Sequence, residues 1–140
     1  MPNEPIVIID DDTDDHYIFD EVCRRMNLGN ELKFFTSALQ ALEYLRSTND
    51  QPFIIFCDVN MPKMTGLELR RAIDQDEGLR RKSIPFVFFT TAASKPQVVE
   101  AYNLTVQGFF IKESTFDETE KVLRLIFEYW KKCRHPNAYQ

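Results

Sequence analysis

The stretch Phe53-Ile54-Ile55-Phe56-Cys57-Asp58-Val59-Asn60-Met61-Pro62-Lys63-Met64-Thr65-Gly66 couples an unbroken apolar run to a polar segment opened by an aspartate. An apolar run of this kind predicts a strand buried on both faces, as in parallel sheets. A carboxylate at the exit of such a strand stands where open α/β sheets place their ligands. Burying it there requires a partner, a cation or chemistry.

The surrounding chain fits one domain. Its 140 residues suffice for a full core, and 44% apolar with 28% charged residues is ordinary for a globular protein. A net charge of -5 argues against nucleic acid as the main partner. The basic clusters Arg80-Arg81-Lys82 and Lys131-Lys132 read as solvated helix ends. Cys23, Cys57 and Cys133 are odd in number and widely spaced, so no metal or redox pair is suggested, and Cys57 reads as a small buried hydrophobe. Met1-Pro2-Asn3-Glu4 lacks the pattern of a signal peptide, and no apolar stretch reaches membrane-spanning length. The expectation is a soluble, cytoplasmic chain.

Strand and helix signals alternate from end to end. Strands are predicted at Ile6–Ile9, Leu32–Phe35, Phe53–Cys57, Phe86–Phe89 and Phe109–Ile111. Helices are predicted over Thr13–Leu28, with Tyr17, Ile18, Val22 and Met26 as core positions and Gly29 as the stop, then from Ser37 to about Arg46 and from Leu67 to about Gln75. Two more run from Ser94 to near Leu104 and from Thr115 to about Lys132, Phe127 being read as core and Trp130 as core or dimer face. The tail from His135 to Gln140 is expected to fray. Five βα units with short connections predict a parallel sheet with helices on both faces.

The polar residues at the strand exits carry the chemistry. The first apolar run leads into Asp10-Asp11-Asp12, the third into Asp58, the fourth into Thr90 and the fifth into Lys112. In a parallel sheet these exits share one edge, so the groups can converge. Crowded carboxylates repel unless a hard cation neutralises them, and such oxygen ligands suit Mg²⁺. A lysine and a hydroxyl facing that cation are what a phosphoryl group needs. Asp12, Asp14 and Asp15 read as favourable placement at a helix N-terminus.

With these residues in view, the chain resembles the receiver domains of two-component response regulators, from Ile6 to about Lys132. The resemblance rests on Asp10-Asp11, the segment Asp58-x-x-Met61-Pro62-x-Met64-x-Gly66, Thr90 and Lys112. It implies a flavodoxin-like five-stranded parallel sheet of order 2-1-3-4-5 with five helices on both faces. It also implies a single receiver domain over 1–140, its core at about 5–132, and a short tail over 133–140. The implied roles are Asp58 as phosphoacceptor from a histidine kinase or phosphotransfer protein, and Mg²⁺ held by Asp10, Asp11, Asp58 and the backbone carbonyl of Asn60. Lys112 and Thr90 would contact the phosphoryl oxygens. Thr90 and Phe109 would form the switch, read by a downstream partner, or by a second copy in a homodimer, on the face of the fourth helix, fifth strand and fifth helix. The chain would be a signalling module and no enzyme beyond its own phosphorylation and dephosphorylation, with neither nucleic acid nor membrane insertion implied.

The sequence departs from the commoner receiver pattern at four places. Glu113 follows Lys112 where proline is usual, and a trans bond is expected because a cis bond before a non-proline residue costs about 2.5–4 kcal/mol. Phe109 stands in place of tyrosine, Thr91 in place of a smaller residue, and Ala92 offers no polar group to orient a hydrolytic water. A phosphatase of the haloacid dehalogenase class would need a second carboxylate at Asn60. A flavodoxin-like cofactor binder would place phosphate against Asp10-Asp11-Asp12. An unphosphorylated pseudo-receiver would share the fold, but every reactive position is filled here.

Overall fold

The computed structural model describes residues 4–139; the other four, most of the N-terminal segment discussed above and the last tail residue, lie outside the described residues. Five parallel strands are ordered β2-β1-β3-β4-β5: β1 Ile6–Ile9, β2 Leu32–Phe35, β3 Ile54–Cys57, β4 Phe86–Thr90 and β5 Gly108–Ile111. β1 and β3 are buried along their whole length, as their apolar sequence requires.

Alternation along the strands divides the core in two. Val7, Ile9, Ile55 and Cys57 face α2 (Ala38–Ser47), α3 (Gly66–Gln75), α4 (Glu77–Lys82) and α5 (Lys95–Asn103). Ile6, Ile8, Ile54 and Phe56 face α1 (Thr13–Arg25) and α6 (Phe116–Lys132). At the centre of the second layer Phe56 meets Phe19 at 4.8 Å and Phe127 at 5.5 Å between ring centroids. Fully buried aromatics in this arrangement dominate the packing energy of a small core.

Several local expectations need correction. Tyr17 is 64% exposed and Phe19 is buried in its place, with Val22 and Cys23 beside it. The helix ends at Arg25, not Leu28: Asn27 adopts φ 55°, and the Leu28 N–H reaches back to the Cys23 carbonyl at 3.0 Å. A left-handed asparagine closes the last turn, so Gly29 is not the stop. The sixth helix, α4, lies where none was expected. Asp76 caps it by accepting from the Leu79 N–H at 3.1 Å, and Leu79 is buried beneath. The basic cluster Arg80-Arg81-Lys82 is its last turn.

His135 and Asn137 dock the tail rather than leaving it frayed. A 3₁₀ turn, Pro136–Tyr139, follows α6. The His135 ring lies parallel to Phe53 at 4.7 Å and its Nε2 donates to the Phe53 carbonyl at 2.6 Å, while Nδ1 accepts from the Asn137 N–H at 3.1 Å. Asn137 Nδ2 bonds Glu4 and the Gln51 carbonyl, so the tail ties both the chain start and the entry to β3. Truncation after Cys133 uncovers Phe53 and removes these bonds, and is expected to cost about 2–4 kcal/mol. An unchanged urea midpoint would place the tail outside the cooperative unit.

Candidate receiver site

The parallel register brings the strand exits to one edge, and the polar groups meet there. The Asp58 N–H donates to the Ile9 carbonyl at 2.9 Å, which pins the aspartate beside the end of β1. Its carboxylate is nearly buried. Thr90 at the end of β4 is buried too, and its Oγ1 donates to Asp58 Oδ1 at 2.6 Å. Lys112 Nζ lies 3.7 Å from Asp58 Oδ2, so each carboxylate oxygen faces a different partner.

The loop after Asp58 explains its own sequence. The Gly66 N–H donates to the Val59 carbonyl at 2.8 Å and closes the segment. A Cβ on Gly66 would stand 2.1 Å from the Asp58 carbonyl oxygen, which no side chain survives. Asn60 faces the opposite wall: its Nδ2 donates to the Ala92 carbonyl at 3.3 Å and its Oδ1 accepts from Gln97 at 3.2 Å.

Asp10, Asp11 and Asp58 each present a carboxylate oxygen within 4.8 Å of the others. Three hard oxygen donors so close fit Mg²⁺ or Mn²⁺, which take carboxylate and water ligands. Asp10 is almost wholly buried and Asp11 is exposed, so the donor set opens to solvent on one side. Burial pushes the Asp10 carboxyl up to about 7; the hydrogen bond from Lys112 and the one from the Asp12 N–H pull it down, and the Asp58 charge adds to the rise.

Lys112 is held in place without a following proline. The Lys112–Glu113 bond is trans, and the Lys112 N–H donates to the Thr90 carbonyl at 2.7 Å, extending the β4–β5 ladder to the site. Its Nζ donates to Asp10 Oδ2 at 2.7 Å and to Asp15 Oδ2 at 2.6 Å. Burial alone would lower the ammonium pKa, but hydrogen bonds to Asp10 and Asp15 and the charges of Asp10 and Asp58 hold it above its ordinary value. Phe109 on β5 packs half-buried against Phe88, ring centroids 5.5 Å apart.

Two contacts escape a sequence reading. Asp15 pairs with Lys112, although its first-turn position suggested only a favourable charge at a helix N-terminus. His16 Nε2 donates to the Asp10 carbonyl at 2.9 Å, with its ring stacked on Phe34 at 4.8 Å. The period of α1 puts both near the end of β1, but the lysine partner lies 97 residues away.

The family model described as the response regulator receiver domain matches residues 6–124. The chain belongs to this family. It is 27% identical to the response regulator Rcp1 of Synechocystis over 134 residues, covering 92% of this chain and 90% of Rcp1. It is 32% identical to the chemotaxis protein CheY of Pseudomonas aeruginosa, covering 88% of this chain and 95% of CheY. The Mn²⁺-bound form of Rcp1 superposes with a TM-score of 0.85 at 26% identity over 95% of this chain and 99% of that one. The phosphorylated cyanobacterial phytochrome response regulator RcpA, at 24% identity, shares the fold with a TM-score of 0.84 over 93% and 95% of the two chains. Receivers of this family are signalling modules that bind Mg²⁺ or Mn²⁺ at an acidic pocket and interact with histidine kinases or phosphotransfer proteins. Among the described residues, no helix is long and apolar enough to cross a membrane.

The raised Asp10 pKa has a signed consequence for this receiver. A carboxyl that ionises near 3.8 unfolded and about 7 folded withdraws stability as pH rises between those values. In EDTA, Asp10→Asn is expected to melt above wild type, the gap opening from pH 4 to 7 and levelling beyond, a window set by these two pKa values. A pH-independent gap in calorimetry would contradict this.

Proposed function

We propose that this receiver takes a phosphoryl group on Asp58 from the phosphohistidine of a histidine kinase or phosphotransfer protein. The observation that carries the reading is the Asp58 carboxylate held between Thr90 and Lys112 at the sheet edge that also gathers Asp10 and Asp11. Lysine and threonine contacts at a buried carboxylate are positions for a phosphoryl group rather than for general packing.

A carboxylate oxygen of Asp58 attacks phosphorus, the phosphorus–nitrogen bond to the donor histidine breaks, and an acyl phosphate remains. This transfer depends on in-line positioning and charge neutralisation. Thr90 Oγ1 orients the carboxylate through Oδ1 and afterwards donates to a phosphoryl oxygen. Lys112, whose side chain is 10% exposed, keeps its positive charge and faces the oxygens that gain negative charge. Asp10, Asp11, Asp58 and the Asn60 carbonyl would hold Mg²⁺, which supplies further neutralisation when bound.

The output follows from the same contacts. Thr90 and Phe109 sit on neighbouring strands, one at the carboxylate and the other against the core, so a phosphoryl group that draws on Thr90 biases the packing of Phe109. The face formed by α5, β5 and α6 is the surface partners read. Val99 (50%), Tyr102 (52%) and Ile111 (48%) stand exposed there, and a homodimer would use the same face. The receiver acts in the cytoplasm, relaying its phosphoryl group or docking on a partner in one state. Ala92 offers no group to activate water, which favours a persistent acyl phosphate.

Incubation with acetyl phosphate and Mg²⁺ followed by intact-mass measurement tests this directly. The expected result is one phosphoryl adduct that requires Mg²⁺ and disappears in Asp58→Asn. No adduct, even with a cognate kinase, would leave an interaction module that does not use the phosphoryl chemistry.

A further inference from the structure

The Lys112 ammonium has three donors and three acidic neighbours. Asp10 and Asp15 accept at 2.7 and 2.6 Å, while Asp58 at 3.7 Å is beyond hydrogen-bond length. Two of these acids, Asp10 and Asp58, belong to the cluster that fits a divalent cation. Asp15 stands outside that cluster, and its side chain is only 14% exposed. A lysine ammonium and a divalent cation compete for the same carboxylates and repel one another at short range. Asp10 has little to spare, since Oδ1 already accepts from the Asp12 N–H and Oδ2 from Lys112.

We infer that Asp15 is a positioning residue that holds the Lys112 ammonium clear of the carboxylates a divalent cation needs. This rests on the reading of the site as a phosphoacceptor beside a divalent cation. Asp15 is fixed for the task by its place in the first turn of α1, from which its Oδ2 reaches the end of β5. With Asp15 in place the ammonium keeps a full-charge partner when Asp10 turns to a cation, and it stays near Asp58 for the phosphoryl oxygens. Without that charge, Lys112 falls back on Asp10 and Asp58 and closes the cation site.

Plain removal of one negative charge also weakens cation binding, so the test must separate charge from position. Mn²⁺ alone, titrated by calorimetry and by electron paramagnetic resonance, is the probe. Asp15→Asn is expected to raise the Mn²⁺ Kd about tenfold with Lys112 present and roughly twofold in a Lys112→Ala background, a non-additivity in the range of directly coupled pairs. Asp14→Asn removes an exposed charge from the same turn without touching Lys112, and is expected to match only the smaller effect. Asp15→Glu restores the carboxylate and is expected to recover most of the affinity. Circular dichroism of each variant confirms that α1 is intact. Equal losses in both Lys112 backgrounds, or an Asp14→Asn loss as large as that of Asp15→Asn, would overturn the positioning role while leaving the phosphoacceptor reading in place. A wild-type chain that binds no Mn²⁺ would overturn the cation reading, and the inference with it.

Discussion

The acidic edge of this sheet depends on the charge of Lys112. Asp10 and Asp58 are nearly buried, and buried carboxylates are tolerated only when paired and hydrogen-bonded. One ammonium sits within 4 Å of Asp10, Asp15 and Asp58 together, and Thr90 supplies a further donor to Asp58. The compensation is incomplete, as the raised Asp10 pKa shows. An acidic site that stays under-neutralised still favours a divalent cation.

The rest of the fold serves that convergence. Parallel pairing puts the exits of β1, β3, β4 and β5 in register at one edge, and no antiparallel arrangement would do so. The aromatic layer of Phe19, Phe56, Phe89 and Phe127 fixes α1 and α6 on the sheet. This matters because α1 carries Asp15 to Lys112. At the opposite edge the tail clasps Phe53, stabilising the start of the strand whose far end carries Asp58.

Much of this was legible in the sequence because strand exits are punctuated by residue type. An apolar run ending in Asp58, Thr90 or Lys112 reveals both its burial and its polar exit, and the structure has the parallel sheet with those exits gathered at one edge. What stayed hidden depended on contacts distant in sequence or on local geometry that composition does not mark. Tyr17 and Phe19 are both aromatic, and only the orientation of α1 on the sheet decides which is buried. Asn27 took the left-handed position that Gly29 also suited. His135 and Asn137 look like a polar tail until Phe53 and the Gln51 carbonyl are brought beneath them. Asp15 had a sufficient explanation in the helix N-terminus, which concealed the lysine it binds.

Thr90 and Lys112 converge on Asp58 despite Glu113, the arrangement proposed to receive a phosphoryl group. A crystal structure of the protein with Mg²⁺ and beryllium trifluoride tests that arrangement. The predicted result is a beryllium adduct on Asp58 with Thr90 Oγ1 and Lys112 Nζ each bonded to a fluorine and the cation among Asp10, Asp11 and Asp58. An Asp58 left unmodified, or an adduct that Lys112 does not reach, would contradict it.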